Sequence, residues 1–138
     1  MQKIVVGYDG SEHADRALDR AVAIAGSGAS LVVVSAAHLA PLTHDPALGT
    51  SAVDPIEAEW ARTNLDKARA RLEGTGVDVR TVEGHGDPAD ALVRQAETER
   101  ADLIVVGTRG LNAAQRALMG SVSTKVVHHA HCDVLVVR

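Results

Sequence analysis

Three glycines and two serines carry the strongest chemical signal in this sequence. Gly107 and Gly110 are separated by two residues, Gly110 and Gly120 by nine, and Ser121 and Ser123 follow directly. Without a Cβ, a glycine backbone can turn sharply and come close to a ligand. Gly120 and Ser121 stand just before a stretch with helical periodicity, so free amides and the positive end of a helix dipole would face an incoming anion. Ser121 and Ser123 add hydroxyl donors, and Arg109 adds a guanidinium that can fork onto phosphate oxygens. Taken singly, Gly107 need only end a strand and Gly120 need only break a helix. Taken together, after a buried strand and before a helix, the set describes a phosphate site.

Other residues compete for a chemical role. Ser11 follows Asp9-Gly10 and could suggest a nucleophile, but its position before a helix makes it an N-cap. His128, His129, His131 and Cys132 include good zinc ligands. Adjacent residues at a helix end point in different directions, however, and no second ligand pair with matching spacing accompanies them. Gly84-His85-Gly86-Asp87-Pro88-Ala89 fits the dinucleotide pattern G-x-G-x-x-A. The next strand ends in Gly107 and not in the acid that would bind a ribose hydroxyl, and Asp87-Pro88 is accounted for as a helix cap. Gly86 and Asp87 are left at the rim of the crevice. Neither G-x4-G-K-[ST] nor G-x-S-x-G occurs. Cys132, just before an apolar strand, is expected to be inert.

The elements that must position these residues follow from periodicity. Residues 3–8 read as a buried strand stopped by Asp9-Gly10. Ser11 caps a helix whose Ala14, Ala17, Leu18, Ala21, Val22 and Ala25 form one face, ended by Gly26-Ser27-Gly28. Residues 30–37 are a second strand, apolar without alternation, as expected when both sheet faces are covered. Residues 38–53, with Pro41, Pro46 and Gly49, read as a long loop and a candidate lid. Asp54-Pro55-Ile56-Glu57 opens a second helix with the stripe Ala61, Leu65, Ala68, Leu72. Trp60 on that helix is expected to pack against the sheet or the long loop, with an interface anchor as the alternative. Residues 77–83 alternate and so form a strand near an edge.

Asp87-Pro88 caps a third helix with the stripe Ala89, Leu92, Val93, Ala96, and residues 103–106 form a fourth buried strand. Residues 107–120 are irregular, with a short helical turn around 113–118. A last helix starts near Ser121, with Val122, Val126 and Ala130 facing the core, and residues 134–137 form the last strand. Strict alternation of strands and helices gives an α/β fold, a single domain over residues 1–138, with a parallel sheet between two helical layers. In such sheets ligands sit at the carboxyl ends of the strands, where strand order reverses.

Composition narrows the function. Of 138 residues 46% are apolar, yet there is no Phe, one Trp (Trp60) and one Tyr (Tyr8), so the core must be built from Val, Leu, Ile and 23 alanines. So little aromatic surface argues against stacking on single-stranded nucleic acid. A net charge of −4 makes nucleic acid and anionic membrane poor partners. No apolar run is long enough to cross a membrane. The lone Cys132 excludes an internal disulfide and fits a reducing compartment. With no signal peptide visible at the N-terminus, the expected location is cytoplasmic.

At this point the residues carry a family resemblance. Gly107-x2-Gly110-x9-Gly120-Ser121 matches the G-2x-G-9x-G-(S/T) motif of the universal stress protein family in its ATP-binding subclass. IVVGYDGSEHADRAL is similar to the family's first strand and helix, ADLIVVGTRG to its fourth strand, and GSVSTKVVHHAHCDVLVVR to its last helix and strand. The resemblance covers essentially the whole chain. It implies an adenine nucleotide alpha hydrolase-like, three-layer αβα sandwich with a five-stranded parallel sheet in the order 3-2-1-4-5, and a homodimer formed through the last strand, from Val134 to Val137. It also implies ATP and Mg²⁺ as cofactors. Asp9 falls on the acid that contacts ribose or metal, and Ala36 where a small apolar residue abuts adenine. Gly107, Arg109, Gly110, Gly120, Ser121 and Ser123 fall on the ribose and phosphate positions, with Gly7, Tyr8, Ser11, Thr108 and Val122 as neighbours in the site. The chain departs from the family before the last strand: where His-Ala-Pro-Cys-Pro-Val is usual, it reads His129-Ala130-His131-Cys132-Asp133-Val134. The implied role is nucleotide-dependent regulation in a stress response. No catalytic residue is assigned; a slow ATPase or phosphotransferase and a nucleotide-free dimeric interaction protein are the alternatives.

Overall fold

The computed structural model describes residues 2–36, 55–108 and 119–138. Five strands alternate with four helices: β1 (Lys3–Gly7), α1 (Glu12–Ile24), β2 (Ser30–Ser35), α2 (Pro55–Leu72), β3 (Asp78–Glu83), α3 (Pro88–Glu99), β4 (Leu103–Gly107), α4 (Ser121–His129) and β5 (Asp133–Val137). The strands form one parallel sheet in the order β3-β2-β1-β4-β5. The direction of winding reverses between β1 and β4, which pair through Ile4↔Leu103, Val5↔Ile104 and Val6↔Val105.

Residue alternation along the strands builds two cores. Ile4, Val6, Leu31 and Val33 face α1 and α2, where Ala14, Ala17, Leu18, Leu65 and Ala68 meet them. Val5, Val32, Val34, Ile104 and Val106 face the opposite layer and meet Ala89, Leu92 and Val126 of α3 and α4. A fully buried side chain such as Leu18 contributes about 2 kcal/mol through burial. The helix faces that touch the sheet are largely alanine, so little side-chain volume separates those helices from the strands. On the outer side, Arg71 of α2 forks onto Asp19 of α1 at 2.9 and 2.7 Å. The guanidinium holds the Asp19 carboxyl below its ordinary value.

The caps fall where local sequence puts them. Ser11 accepts from the Ala14 amide at 3.1 Å, and Asp87 accepts from the Asp90 amide at 3.0 Å. Pro55 is the first residue of α2, as expected; Asp54, the loop at 38–53 and the turn at 113–118 lie outside the described residues. β3 is an edge strand with exposed and half-buried residues in turn, as its alternation predicts. Some boundaries shift. β1 stops at Gly7 and not at Tyr8, although the Tyr8 amide still donates to Val34 O at 2.9 Å. β2 stops at Ser35, β4 includes Gly107, and β5 begins at Asp133. In α3 Val93 is only half-buried; Ala91 is buried in its place, because it meets Gly84 beyond the end of β3.

Candidate functional site

The carboxyl end of β1 is a tightly shaped turn. Asp9 Oδ1 accepts from the Ser11 amide at 2.9 Å, so the acid folds back over the start of α1. Gly10 sits at φ +82°, where a side chain is strained, and a Cβ there would come within 2.6 Å of Asn64 Oδ1. Lys67 Nζ donates to Gly10 O at 2.9 Å and pins the turn to α2. Tyr8 points inward: it is 3% exposed, and its hydroxyl donates to Asp15 Oδ1 at 2.7 Å. Burial first, and then that hydrogen bond, push the phenol above its ordinary range. The side chains of Tyr8 and Ser11 are therefore both engaged within the protein, whereas among the described residues Asp9 bonds only the turn it belongs to, through the Ser11 amide.

Beside it, the carboxyl end of β4 is held on three sides. Gly107 packs against α1 so closely that a Cβ would lie 2.8 Å from His13 Cβ and 2.9 Å from its carbonyl carbon and oxygen. The Thr108 amide donates to Val137 O of β5 at 2.8 Å, and its hydroxyl lies 3.2 Å from His13 Nδ1. The Thr108 carbonyl accepts from the Gly120 amide at 2.5 Å and lies 3.1 Å from Ser123 Oγ. Gly120 is the N-cap of α4 and supplies no side-chain cap. Gly120 therefore has no side chain to offer the amides of the first turn of α4, and a helix N-terminus of this kind favours an anion in general. Ser121 is exposed there, Val122 is half-buried and Ser123 is buried. Arg109 and Gly110 lie outside the described residues.

The model of the universal stress protein family matches residues 1–138. The chain belongs to this family. It is 42% identical to a universal stress protein of Thermus aquaticus over 98% of this chain and 97% of the relative. It is similar to a solved universal stress protein in complex with cAMP, at 33% identity and a TM-score of 0.74, covering 99% of this chain and 97% of the other. A universal stress protein family member from Arabidopsis thaliana, solved with AMP bound, shares the fold at 18% identity and a TM-score of 0.66, covering 99% of this chain and 91% of that one.

In this universal stress protein the α/β architecture brings most of the residues expected at the nucleotide to one end of the sheet. Gly7 ends β1 and Asp9 follows it, Thr108 follows β4, and Gly120 and Ser121 start α4 at the same end. Gly7 itself packs inward, for a Cβ there would meet Leu92 Cδ1 at 2.7 Å. Ala36 follows β2 and is buried; a Cβ on Gly84 would lie 2.9 Å from its methyl. One buried polar pair has no counterpart in the sequence reading. Asn64 Nδ2 lies 3.4 Å from Ser35 Oγ, with Asn64 8% and Ser35 0% exposed. The signal was available: Asn64 falls between Ala61 and Ala68 at helical spacing, on the stripe that faces the sheet.

The competing motifs resolve into structure. Asp87 caps α3 and pairs with Lys125 of α4 at 3.2 Å, while Lys125 also reaches Asp90 at 3.2 Å. Burial works against the Asp87 charge, but the Asp90 amide and Lys125 outweigh it and hold the carboxyl low. His131 lies 3.1 Å from Glu97. Among the described residues no group of three or more His, Cys, Asp or Glu is placed to hold a metal ion. Burial pushes the Cys132 thiol up, away from the thiolate.

Proposed function

We propose that this universal stress protein binds an adenine nucleotide, ATP with Mg²⁺, between the ends of β1 and β4, and acts as a nucleotide-dependent regulatory protein. The observation that carries the reading is the start of α4. It is a helix N-terminus without a side-chain cap, tied to the end of β4 where the sheet reverses its winding. A solved relative at 33% identity in complex with cAMP supports it. Phosphate would lie over the amides of Ser121 and Val122 and the Ser121 hydroxyl. Gly107, Thr108 and Gly120 would form the floor, Arg109 and Gly110 would complete the motif, and Ala36 would abut the base. Magnesium favours one or two carboxylates plus phosphate oxygens and water. Asp9 fits that role, since among the described residues only the Ser11 amide bonds it, through Oδ1. The ion would neutralise phosphate charge.

No residue is assigned to catalysis. Hydrolysis needs a placed base or water-orienting group beside the terminal phosphate. Tyr8 and Ser11 are engaged elsewhere, and Asp9 serves better as a metal or ribose contact. Pairing of β5 with a second copy belongs to the same proposal. Val134, Leu135, Val136 and Val137 are half-buried on an edge strand, a surface that proteins normally cover. A groove of about 520 Å³ runs beside it, lined by Arg16, Asp19, Arg20, Ala23 and residues 135–138.

The test begins with the small-molecule content of freshly purified, heat-extracted protein. Calorimetric titration with ATP, AMP and cAMP follows, with and without Mg²⁺, and sedimentation at micromolar concentration. Adenine nucleotide near one per chain, lost in Gly120→Val, is the expected result. No nucleotide and no heat would transfer the reading to an interaction protein. Turnover well above ~1 s⁻¹ would make it an enzyme, and a monomer would remove the β5 dimer.

A further inference from the structure

Ser123 was expected to offer its hydroxyl to phosphate, but the side chain is turned into the protein. It is 2% exposed, and Oγ lies 3.1 Å from Thr108 O and 3.1 Å from Gly120 O. A serine has a single hydroxyl hydrogen, so it serves one of these carbonyls at a time, and both are within reach. Thr108 O also receives the Gly120 amide. Thr108 is itself fixed from outside α4, by Val137 O at 2.8 Å and His13 Nδ1 at 3.2 Å. The first turn of α4 is therefore stitched to a residue that β5 and α1 already hold in place.

We propose that Ser123 is a positioning residue of the nucleotide site. Its hydroxyl, shared between the Thr108 and Gly120 carbonyls, sets where the amides at the start of α4 stand, without touching the ligand. The proposal rests on the nucleotide reading above and deepens it. Among the described residues of α4, the donors that remain for phosphate are the amides of its first turn and the exposed Ser121 hydroxyl; the Gly120 amide is already used by Thr108. The attraction of a helix N-terminus for an anion is confined to its first turn, and binding groups must hold their geometry to about 0.5 Å. Without the Ser123 bridge, one amide bond from Gly120 is all that ties this turn to Thr108, and the amides lose their fixed aim. The Lys125 contacts to Asp87 and Asp90 restrain α4 from the α3 side, one turn further along, but they do not set residues 120–122.

The experiment compares Ser123→Ala and Ser121→Ala in the full chain, well below the melting temperature. Affinities for ATP with Mg²⁺ and for AMP are read by calorimetry. Amide exchange without nucleotide is read by NMR. Ser123→Ala is expected to speed exchange at Gly120 with β1 and β4 amides unchanged, and to weaken both nucleotides by about fivefold, the worth of one ordinary hydrogen bond. Ser121→Ala is expected to weaken binding with exchange at Gly120 unchanged. Wild-type affinity in Ser123→Ala overturns the role. Weakened binding with unaltered exchange at Gly120 also overturns it, making Ser123 a direct contact. Faster exchange throughout β1 and β4 overturns it in favour of a general structural role. A wild-type chain that binds neither nucleotide overturns the nucleotide reading itself, a result distinct from a binding wild type with an insensitive variant.

Discussion

Replacing Gly107 by alanine separates two explanations of the same glycine. The motif explains it as room for a ligand; the packing explains it as room for α1. Gly107 has no left-handed φ, so alanine is conformationally allowed, and the cost is steric. The new Cβ would stand 2.8 Å from His13 Cβ and 2.9 Å from its carbonyl carbon and oxygen. Backbone atoms in the first turn of a helix cannot rotate away, so the cost falls near the upper end of overpacking, about 3 kcal/mol. Stiffening the unfolded chain returns about 0.4–1 kcal/mol, leaving about 2 kcal/mol. An unfolding entropy of about 2.1 cal/mol/K per residue over 138 residues totals about 0.29 kcal/mol/K, so Tm falls by about 7 °C. The assay is a circular dichroism melt at fixed protein concentration, paired with nucleotide titration well below Tm. Gly7→Ala is the comparison: its Cβ would meet the tip of Leu92 at 2.7 Å, and a side chain can yield, so the loss is about 1 kcal/mol. A Gly107→Ala protein that melts within about 2 °C of wild type while losing nucleotide would refute the packing argument.

Further outcomes follow from particular residues. Tyr8 is the chain's single tyrosine and is held neutral above its ordinary value of 10.0 by burial and Asp15. Its contribution is therefore intact below that value and lost as pH rises toward the folded one. The tyrosinate band in an alkaline titration should appear only together with loss of helical circular dichroism. Asp87→Ala removes the cap of α3 and should cost about 1 kcal/mol at neutral pH in urea unfolding. Because the folded carboxyl is held below 3.8, that contribution is present above this value and fades as pH falls through the folded one, so the two proteins should converge in acid. Arg100 ends α3 with φ 53°, a left-handed conformation that costs a non-glycine residue. Arg100→Gly should raise stability by about 0.5–1 kcal/mol in the same assay.

What could be read from the sequence was what depends on neighbours in the chain. The Ser11 and Asp87 caps, the unbroken apolar run of β2 and the alternation of β3 are local patterns, and each appears in the fold as expected. The parallel sheet was also legible, because strict alternation of strands and helices leaves few other arrangements, and it directs attention to the residues after each strand. What the sequence did not disclose depends on residues brought together from afar. His13 of α1 meets Gly107 and Thr108 at the end of β4, and no spacing encodes that contact. That the Ser123 side chain is buried against the Thr108 and Gly120 carbonyls depends on its place around α4, which a helix start alone does not disclose. The Asn64–Ser35 pair joins α2 to β2 and could be half-guessed, since Asn64 lies on an apolar stripe, but its partner could not. The proline-free approach to β5 still delivers a regular strand, with the Ala130 amide bonded to Val126 O at the end of α4.

The alanine faces of the helices carry a consequence for how this protein can change over generations. Ala14, Ala17, Ala21, Ala61, Ala68, Ala89, Ala91 and Ala96 are all buried against the sheet or beside it. Alanine has no rotamers to lose on folding, so these contacts form without side-chain ordering cost. Yet every replacement except glycine is larger, and a close-packed interior resists enlargement about as firmly as it resists voids. Inherited variation at these positions is therefore one-sided. The valines of the strands can be exchanged for apolar residues of similar volume at moderate cost, whereas the alanines that face them have no such neighbour in size. Lineages carrying this chain should accumulate their core differences on the sheet while the helix faces stay still.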